Sequence, residues 1–422
     1  MDDLFSLDRK NIWHPFTSLQ GAADTPLITR GKGVYLYTSD GRKIIDAISS
    51  WWVNLHGHSH PRIADAIAAQ AAKLEQVIFA GFTHEPAISL SENLLSILPE
   101  GQKKIFFSDN GSTAVEVGLK MAFQYWHNLG IRKRKVIALR GGYHGDTFGA
   151  MSVAERGIFT KPFSPYLFDT TFIDFPNQGN GEAVLGQFME LIDRRDVGAF
   201  IFEPLVQAAA GMRMYSADQL NRLIQYAREH DVICIADEVF TGFGRTGKYF
   251  AADHLIHKPD ILALSKGLTG GFLPMGVTSC SEKIVSAFDS PVLEKTFFHG
   301  HSYTANPMSC AAANASFALL TDPSCQARID NITALHVRFA ASLAADKKVI
   351  DVRTLGTILA IELASPEGSS YENSLRAKIY PYFLERNILI RPLGNVIYVL
   401  PPYVISDEEL RYVYQTIEGF LR

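Results

Sequence analysis

The chain has 422 residues, 47% of them hydrophobic, and its 40 basic and 44 acidic residues leave a formal net charge of −4. That length supports a large buried core and an enzyme subunit of one large and one smaller domain, and the balanced charge carries no footprint of nucleic-acid binding. Cys234, Cys280, Cys310 and Cys325 form no CxxC pair, no apolar window of about 18 residues appears, and Met1-Asp2-Asp3-Leu4-Phe5 does not read as a secretory leader, so a zinc site, a membrane span and export are not expected and a cytoplasmic protein is.

The first 60 residues predict short strands separated by turns at Gly31-Lys32-Gly33 and Ser39-Asp40-Gly41-Arg42. From Lys104 a different rhythm begins, in which a short apolar run meets a Gly- or Asp-bearing turn and then a helical pattern. Lys104 to Asp109 leads through Asn110-Gly111-Ser112-Thr113 into a helix over Ala114 to Trp126, and Val136 to Leu139 leads into Arg140-Gly141-Gly142-Tyr143-His144. Ala199 to Phe202 ends at Glu203-Pro204, Val232 to Ala236 ends at Asp237-Glu238, and Ile261 to Leu264 ends at Ser265-Lys266. Continuous apolar runs suit parallel strands covered on both faces, with the helices as crossovers, so an α/β domain is expected with its ligand at the carboxyl ends of the strands. Beyond Pro307 a long helical stretch is predicted, then Val352 to Leu363, a second helix through Arg386, and a strand over Val396 to Leu400. Residues 1–60 and 307–422 are expected to form a smaller α+β domain from both chain ends, and 61–306 the large domain.

Two groups stand out at the predicted strand ends. An Asp at the end of a buried strand is unfavourable unless paired, and a Lys just past another such strand is equally conspicuous. Singly, Asp237 would read as a helix cap and Lys266 as a solvated surface group. Together they suit a ring cofactor, with Asp237 holding a pyridine nitrogen protonated and Lys266 forming the Schiff base and then moving the proton between carbon atoms.

The run Ile235-Ala236-Asp237-Glu238-Val239-Phe240-Thr241-Gly242-Phe243-Gly244-Arg245-Thr246-Gly247, followed by Pro259 to Gly267, resembles the signature of the class III aminotransferases of the fold-type I pyridoxal-phosphate family, and the resemblance covers essentially the whole chain. It implies the α/β fold of that family, pyridoxal 5'-phosphate as cofactor, and a homodimer with active sites at the subunit interface. Gly111 and Ser112, at a helix mouth, would bind the phosphate, although Asn-Gly-Ser also makes an ordinary N-cap. Tyr143 would stack on the ring with Val239 on its other face, Gln207 would contact the phenolic oxygen, and in Phe297 to Pro307 the residues Gly300, His301 and Ser302 would serve the site, Ser302 reaching the phosphate of the other subunit where many relatives have Thr.

Six further stretches are similar to the branch of the class that aminates 8-amino-7-oxononanoate in biotin synthesis: His14-Pro15-Phe16-Thr17, Ser49-Ser50-Trp51-Trp52, Met121 to Trp126, Tyr143 to Thr147, Gly211 to Tyr215, and Ile390 to Gly394 leading to Tyr398. That substrate is a long aliphatic chain ending in a carboxylate, for which Trp51 would line a slot and Arg391 would grip the acid bidentately, with Phe16 and Tyr398 nearby. The resemblance implies S-adenosylmethionine as amino donor, with lysine as its competitor. Phe16 stands where many relatives have Tyr, and Ala208-Ala209-Ala210-Gly211 replaces a more glycine-rich stretch. Another class III enzyme acting on ornithine, 4-aminobutyrate or a diamine, an aminomutase of the same fold, and a non-catalytic binding protein are the alternatives.

Overall fold

The computed structural model describes residues 2–20 and 25–422. After a helix over Asp2–Asn11 come three short antiparallel strands, β1 (Ile28–Lys32), β2 (Tyr35–Thr38) and β3 (Lys43–Asp46). The turns between them use Gly33 at φ 59° and Gly41 at φ 87°, a left-handed backbone that glycine adopts without a steric penalty.

The central sheet is built from β4 (Gln102–Ser108), β5 (Lys135–Leu139), β6 (Thr171–Ile173), β7 (Val197–Phe202), then, past a small hairpin of β8 (Val206–Gln207) and β9 (Arg213–Met214), β10 (Ile233–Asp237), β11 (Ile261–Leu264) and β12 (Gly276–Ser281). Its seven strands run in the order β4-β12-β11-β10-β7-β5-β6. β12 is antiparallel to both β4 and β11, and the remaining pairs are parallel. Six of the seven carboxyl ends therefore lie along one edge. The apolar runs are continuous because both faces are covered: Phe200, Phe202, Leu262 and Leu264 enter one core, while Ala199, Ile201, Ile261 and Ala263 enter the other, beneath the helix Gly111–Asn128. Each large side chain buried this way stabilises the sheet by roughly 1.5–3 kcal/mol.

The helical stretch beyond Pro307 is two helices, Pro307–Leu320 and Pro323–Leu343. Asp322 caps the second by accepting from the Ser324 N–H, and Pro323 takes its first position, where its missing N–H is harmless. The first of the two packs against the helices Pro61–Lys73 and Glu85–Ile97. Then follow β13 (Val349–Leu355) and β14 (Ile358–Leu363), the helix Arg376–Glu385, β15 (Ile388–Leu389) and β16 (Val396–Val399). β13, β14 and β16 form an antiparallel sheet, whereas β15 pairs in parallel with β3, placing Ile388 opposite Ile45. The two ends of the chain thus share one sheet. Among the described residues no helix is long and apolar enough to cross a membrane.

Candidate active site

A cavity of about 750 Å³ opens at the carboxyl edge of the central sheet. Lys266 follows β11 by two residues, at φ 45°, and begins the short 3-10 turn Lys266–Thr269. Ser265 anchors this turn by donating to the Met275 carbonyl at 2.6 Å. Lys266 Nζ lies 4.7 Å from the ring centre of Trp52 and 5.9 Å from that of Phe240. Burial among such groups pushes the amine down to about 8, although the negative charges of Asp237 and Glu203 pull the other way. A lysine held there has a neutral fraction near physiological pH, which an exposed lysine lacks.

Asp237, the last residue of β10, is buried, and its Oδ1 accepts from the Val239 N–H at 3.1 Å. Its Oδ2 lies 2.7 Å from His144 Nδ1, and His144 is itself buried. Burial works against a charged His144, but the hydrogen bond and charge of Asp237, with Glu203 behind, outweigh it and raise its pKa above the usual value. Glu203, just past β7, accepts from the N–H of Tyr143 at 3.0 Å and of Ala208 at 3.0 Å. Burial raises its carboxyl to about 7, with His144 opposing the shift. Tyr143 donates its hydroxyl to Asp146 at 2.9 Å, so the ring is tied at both ends.

The segment Asn110-Gly111-Ser112 is a helix cap, and its first turn carries the N–H groups that an anion cradle would use. Asn110 and Thr113 form a reciprocal capping box, with the Thr113 N–H 3.0 Å from Asn110 Oδ1. The N–H groups of Gly111 and Ser112, in the first helical turn, have no intrahelical acceptor and suit an anion. Both residues and Val239 line the cavity. The cradle is tight, since a Cβ on Gly111 would sit 2.7 Å from Val239 Cγ1, and one on Gly145 would collide with Ser112 Oγ.

The far side of the cavity is aromatic. Trp51 is half-exposed, with the Arg391 guanidinium 5.1 Å from its ring centre and Phe16 edge-on to it at 5.4 Å. Phe16 also meets Phe159 at 5.8 Å. Trp52 is buried and donates its indole N–H to the Tyr398 hydroxyl at 3.0 Å. Arg391 has no ion pair with a carboxylate among the described residues, so its fork is available to an acid.

The structure brings together Lys266, Asp237, Tyr143, Gly111, Ser112, Val239, Phe16, Trp51, Arg391 and Tyr398. Gln207 is a correction: it does not line the cavity, because the β8–β9 hairpin turns its amide to the Arg140 carbonyl at 3.0 Å and to Arg213 at 2.8 Å. Gly300, His301 and Ser302 also lie off the cavity of the same chain. Sequence reasoning passed over His144 and Glu203 as site residues, and it favoured core or interface packing for Trp52, which lines the cavity. The signal for the first two was their position at strand ends, beside residues already singled out.

The profile of the family described as Aminotransferase class-III matches residues 20–421. The adenosylmethionine-8-amino-7-oxononanoate aminotransferase of Synechococcus elongatus is 48% identical over 97% of this chain and 98% of its own length. That of Geobacter sulfurreducens is 36% identical over 97% and 95%. The crystal structure of the enzyme of the same description from Methanocaldococcus jannaschii superposes with a TM-score of 0.93 at 35% identity, covering 99% of each chain.

Proposed function

The chain belongs to the class III aminotransferases, and from that premise we propose that it transfers an amino group to the ketone of 8-amino-7-oxononanoate, giving 7,8-diaminononanoate for biotin synthesis, with pyridoxal 5'-phosphate as cofactor and S-adenosylmethionine as donor. The observation that carries the reading is that Lys266, Asp237 and Arg391 line one cavity. The residues present fit the cofactor: the glycine-walled cradle at Gly111 and Gly145 would take its phosphate, Asp237 its ring nitrogen, and Tyr143 and Val239 its two faces. When bound, it supplies an electron sink that lowers the barrier to removing a proton from carbon.

The chain's own groups do the rest. Lys266 Nζ, with its depressed pKa, takes the proton from the amine-bearing carbon of the donor and, in the return half, delivers one to the ketone carbon of the acceptor. Arg391 holds the acceptor's terminal carboxylate through its two-pronged fork. Trp51, Trp52 and Tyr398 flank the aliphatic stem and keep water from it. The exposed face of Trp51 offers a surface for an adenine or a sulfonium. Gly300, His301 and Ser302 act in the neighbouring subunit of a homodimer, where the Ser302 hydroxyl would donate to the phosphate. All four cysteines are free, which suits the reducing cytoplasm.

The test is a donor screen with purified holoenzyme and 8-amino-7-oxononanoate. Formation of 7,8-diaminononanoate with S-adenosylmethionine is expected. Absence of nitrogen transfer between two molecules would sink the aminotransferase reading in favour of an aminomutase, whereas conversion driven by lysine and not by S-adenosylmethionine would overturn the donor alone.

A further inference from the structure

The segment Ser49-Ser50-Trp51-Trp52 has a backbone that its residues do not choose unaided. Ser49, Ser50 and Trp52 have φ of 54°, 58° and 69°, a left-handed region that side-chain-bearing residues rarely occupy. Trp51 sits between Ser50 and Trp52 with φ −119° and ψ 57°, and this succession aims the two indoles to different places, Trp51 to the open cavity and Trp52 beneath Lys266. A strained run of this kind persists only when its surroundings over-determine it.

The surroundings are visible. Asp46, wholly buried at the end of β3, accepts from the Ile48 N–H at 3.2 Å through Oδ1, and from the Ser50 N–H at 2.6 Å and the Ser50 hydroxyl at 3.3 Å through Oδ2. His58 Nε2 completes the set, 2.8 Å from the same Oδ2. His58 is fixed in turn: its ring Nδ1 lies 3.2 Å from Asn54 Nδ2, and its backbone exchanges two hydrogen bonds with Gly33, His58 N–H to the Gly33 carbonyl at 2.7 Å and the reverse at 3.2 Å. On the other side the Ser49 hydroxyl donates to the Leu400 carbonyl at 2.8 Å. Neither Asp46 nor His58 lines the cavity.

We infer that Asp46 and His58 are a positioning pair that presets Trp51 as one wall of the acceptor slot, and so determine how well the keto acid is held without touching it. The inference rests on the function proposed above for this site. The imidazole presents a fixed donor to a carboxylate whose other acceptor positions are taken by the strained segment. Removing it frees Asp46 to turn, which releases the Ser50 N–H and lets Trp51 leave its place beside Arg391.

The test compares His58→Ala with His58→Gln, whose side-chain amide can return a donor to Asp46, in the holoenzyme. In His58→Ala, KM for 8-amino-7-oxononanoate is expected to rise roughly tenfold with kcat nearly unchanged, and His58→Gln should recover most of the loss, the pattern of a lost binding wall rather than a lost chemical group. An unchanged KM in folded His58→Ala protein, or a fall in kcat alone, would overturn the inference. A crystal structure of His58→Ala supplies a second arm that needs no turnover: Trp51 is expected to leave the Arg391 guanidinium, and an unmoved ring would overturn the inference as well. If the wild-type enzyme does not aminate the keto acid, the proposed function fails, and the structural arm still decides whether the pair positions Trp51.

Discussion

His144 Nδ1 lies 2.7 Å from Asp237 Oδ2, and both residues are buried, so the carboxylate that would face the cofactor ring is oriented and charge-balanced from behind. Replacing Asp237 with Asn keeps the shape but removes the anion, and kcat should fall by roughly 10²–10³, the scale of losing one preorganised electrostatic partner. His144→Phe should give a smaller loss, because Asp237 remains and only its support goes. Steady-state kinetics of the two variants check this, and a larger loss in His144→Phe would reverse the assigned roles.

Lys266 gives a stability prediction in the apoprotein. Its amine falls from the ordinary 10.5 to about 8, so between these values the unfolded chain binds more protons than the folded one, and stability rises with pH across that window. Below about pH 8 the full penalty of the buried ammonium is present, up to roughly 3 kcal/mol and less to the extent that cavity water reaches the amine. Apo Lys266→Met should therefore be more stable than apo wild type at pH 7, with the difference narrowing toward pH 10.5. Denaturant midpoints at several pH values measure it, and the same variant should show no transamination.

Gly145→Ala probes the phosphate cradle. Gly145 has φ 122°, and a Cβ there would collide with Ser112 Oγ, a group that also accepts from the Asp146 N–H at 3.2 Å. Titration of the apoprotein with pyridoxal 5'-phosphate should show affinity reduced by about tenfold or more, since losing one or two hydrogen bonds to a charged ligand is worth roughly 1.5–3 kcal/mol each. Unchanged affinity would place the phosphate elsewhere.

Arg391→Lys keeps the charge and loses the fork. With no other ion pair to lose among the described residues, Arg391 should show its effect in the acceptor half alone, raising KM for 8-amino-7-oxononanoate by roughly 10–100-fold while donor-driven conversion of the cofactor is little altered. Separate half-reactions distinguish the two.

Five of the seven strands of the central sheet, β4, β5, β7, β10 and β11, were legible because each carries an apolar run ending in a polar turn, which only two covered faces produce. Asp237 and Lys266 were legible for the same reason, as charges where the pattern allows none. β6 and β12 were not, nor was the reversed direction of β12, because Thr171–Ile173 is only three residues long and Gly276–Ser281 interleaves Thr and Ser with its apolar residues. The break at Asp322-Pro323 was present in the chain as a cap followed by a proline, and was masked by the helical pattern on either side. Gln207 misled because a short hairpin, invisible to local pattern, turns its amide away from the cavity. The support given by His144 and Glu203 depends on contacts 93 and 60 residues apart in sequence, which a local pattern does not encode.

The pairing of β3 with β15 sets an order of events during synthesis. A nascent chain that has emerged through residue 306 carries every strand of the central sheet, together with Gly111, Tyr143, Asp237 and Lys266. Its Ser49 hydroxyl still lacks the Leu400 carbonyl, 351 residues downstream, and its Trp52 lacks Tyr398, 346 residues downstream. Since domains fold as units from the amino terminus at about 5–20 residues per second, the half of the pocket that would recognise the phosphate precedes the half that would recognise the keto acid by several seconds. Acceptor selectivity would thus be the last property the ribosome releases, and a chain ending at residue 397 would lose Tyr398 and Leu400 while retaining Lys266 and Asp237.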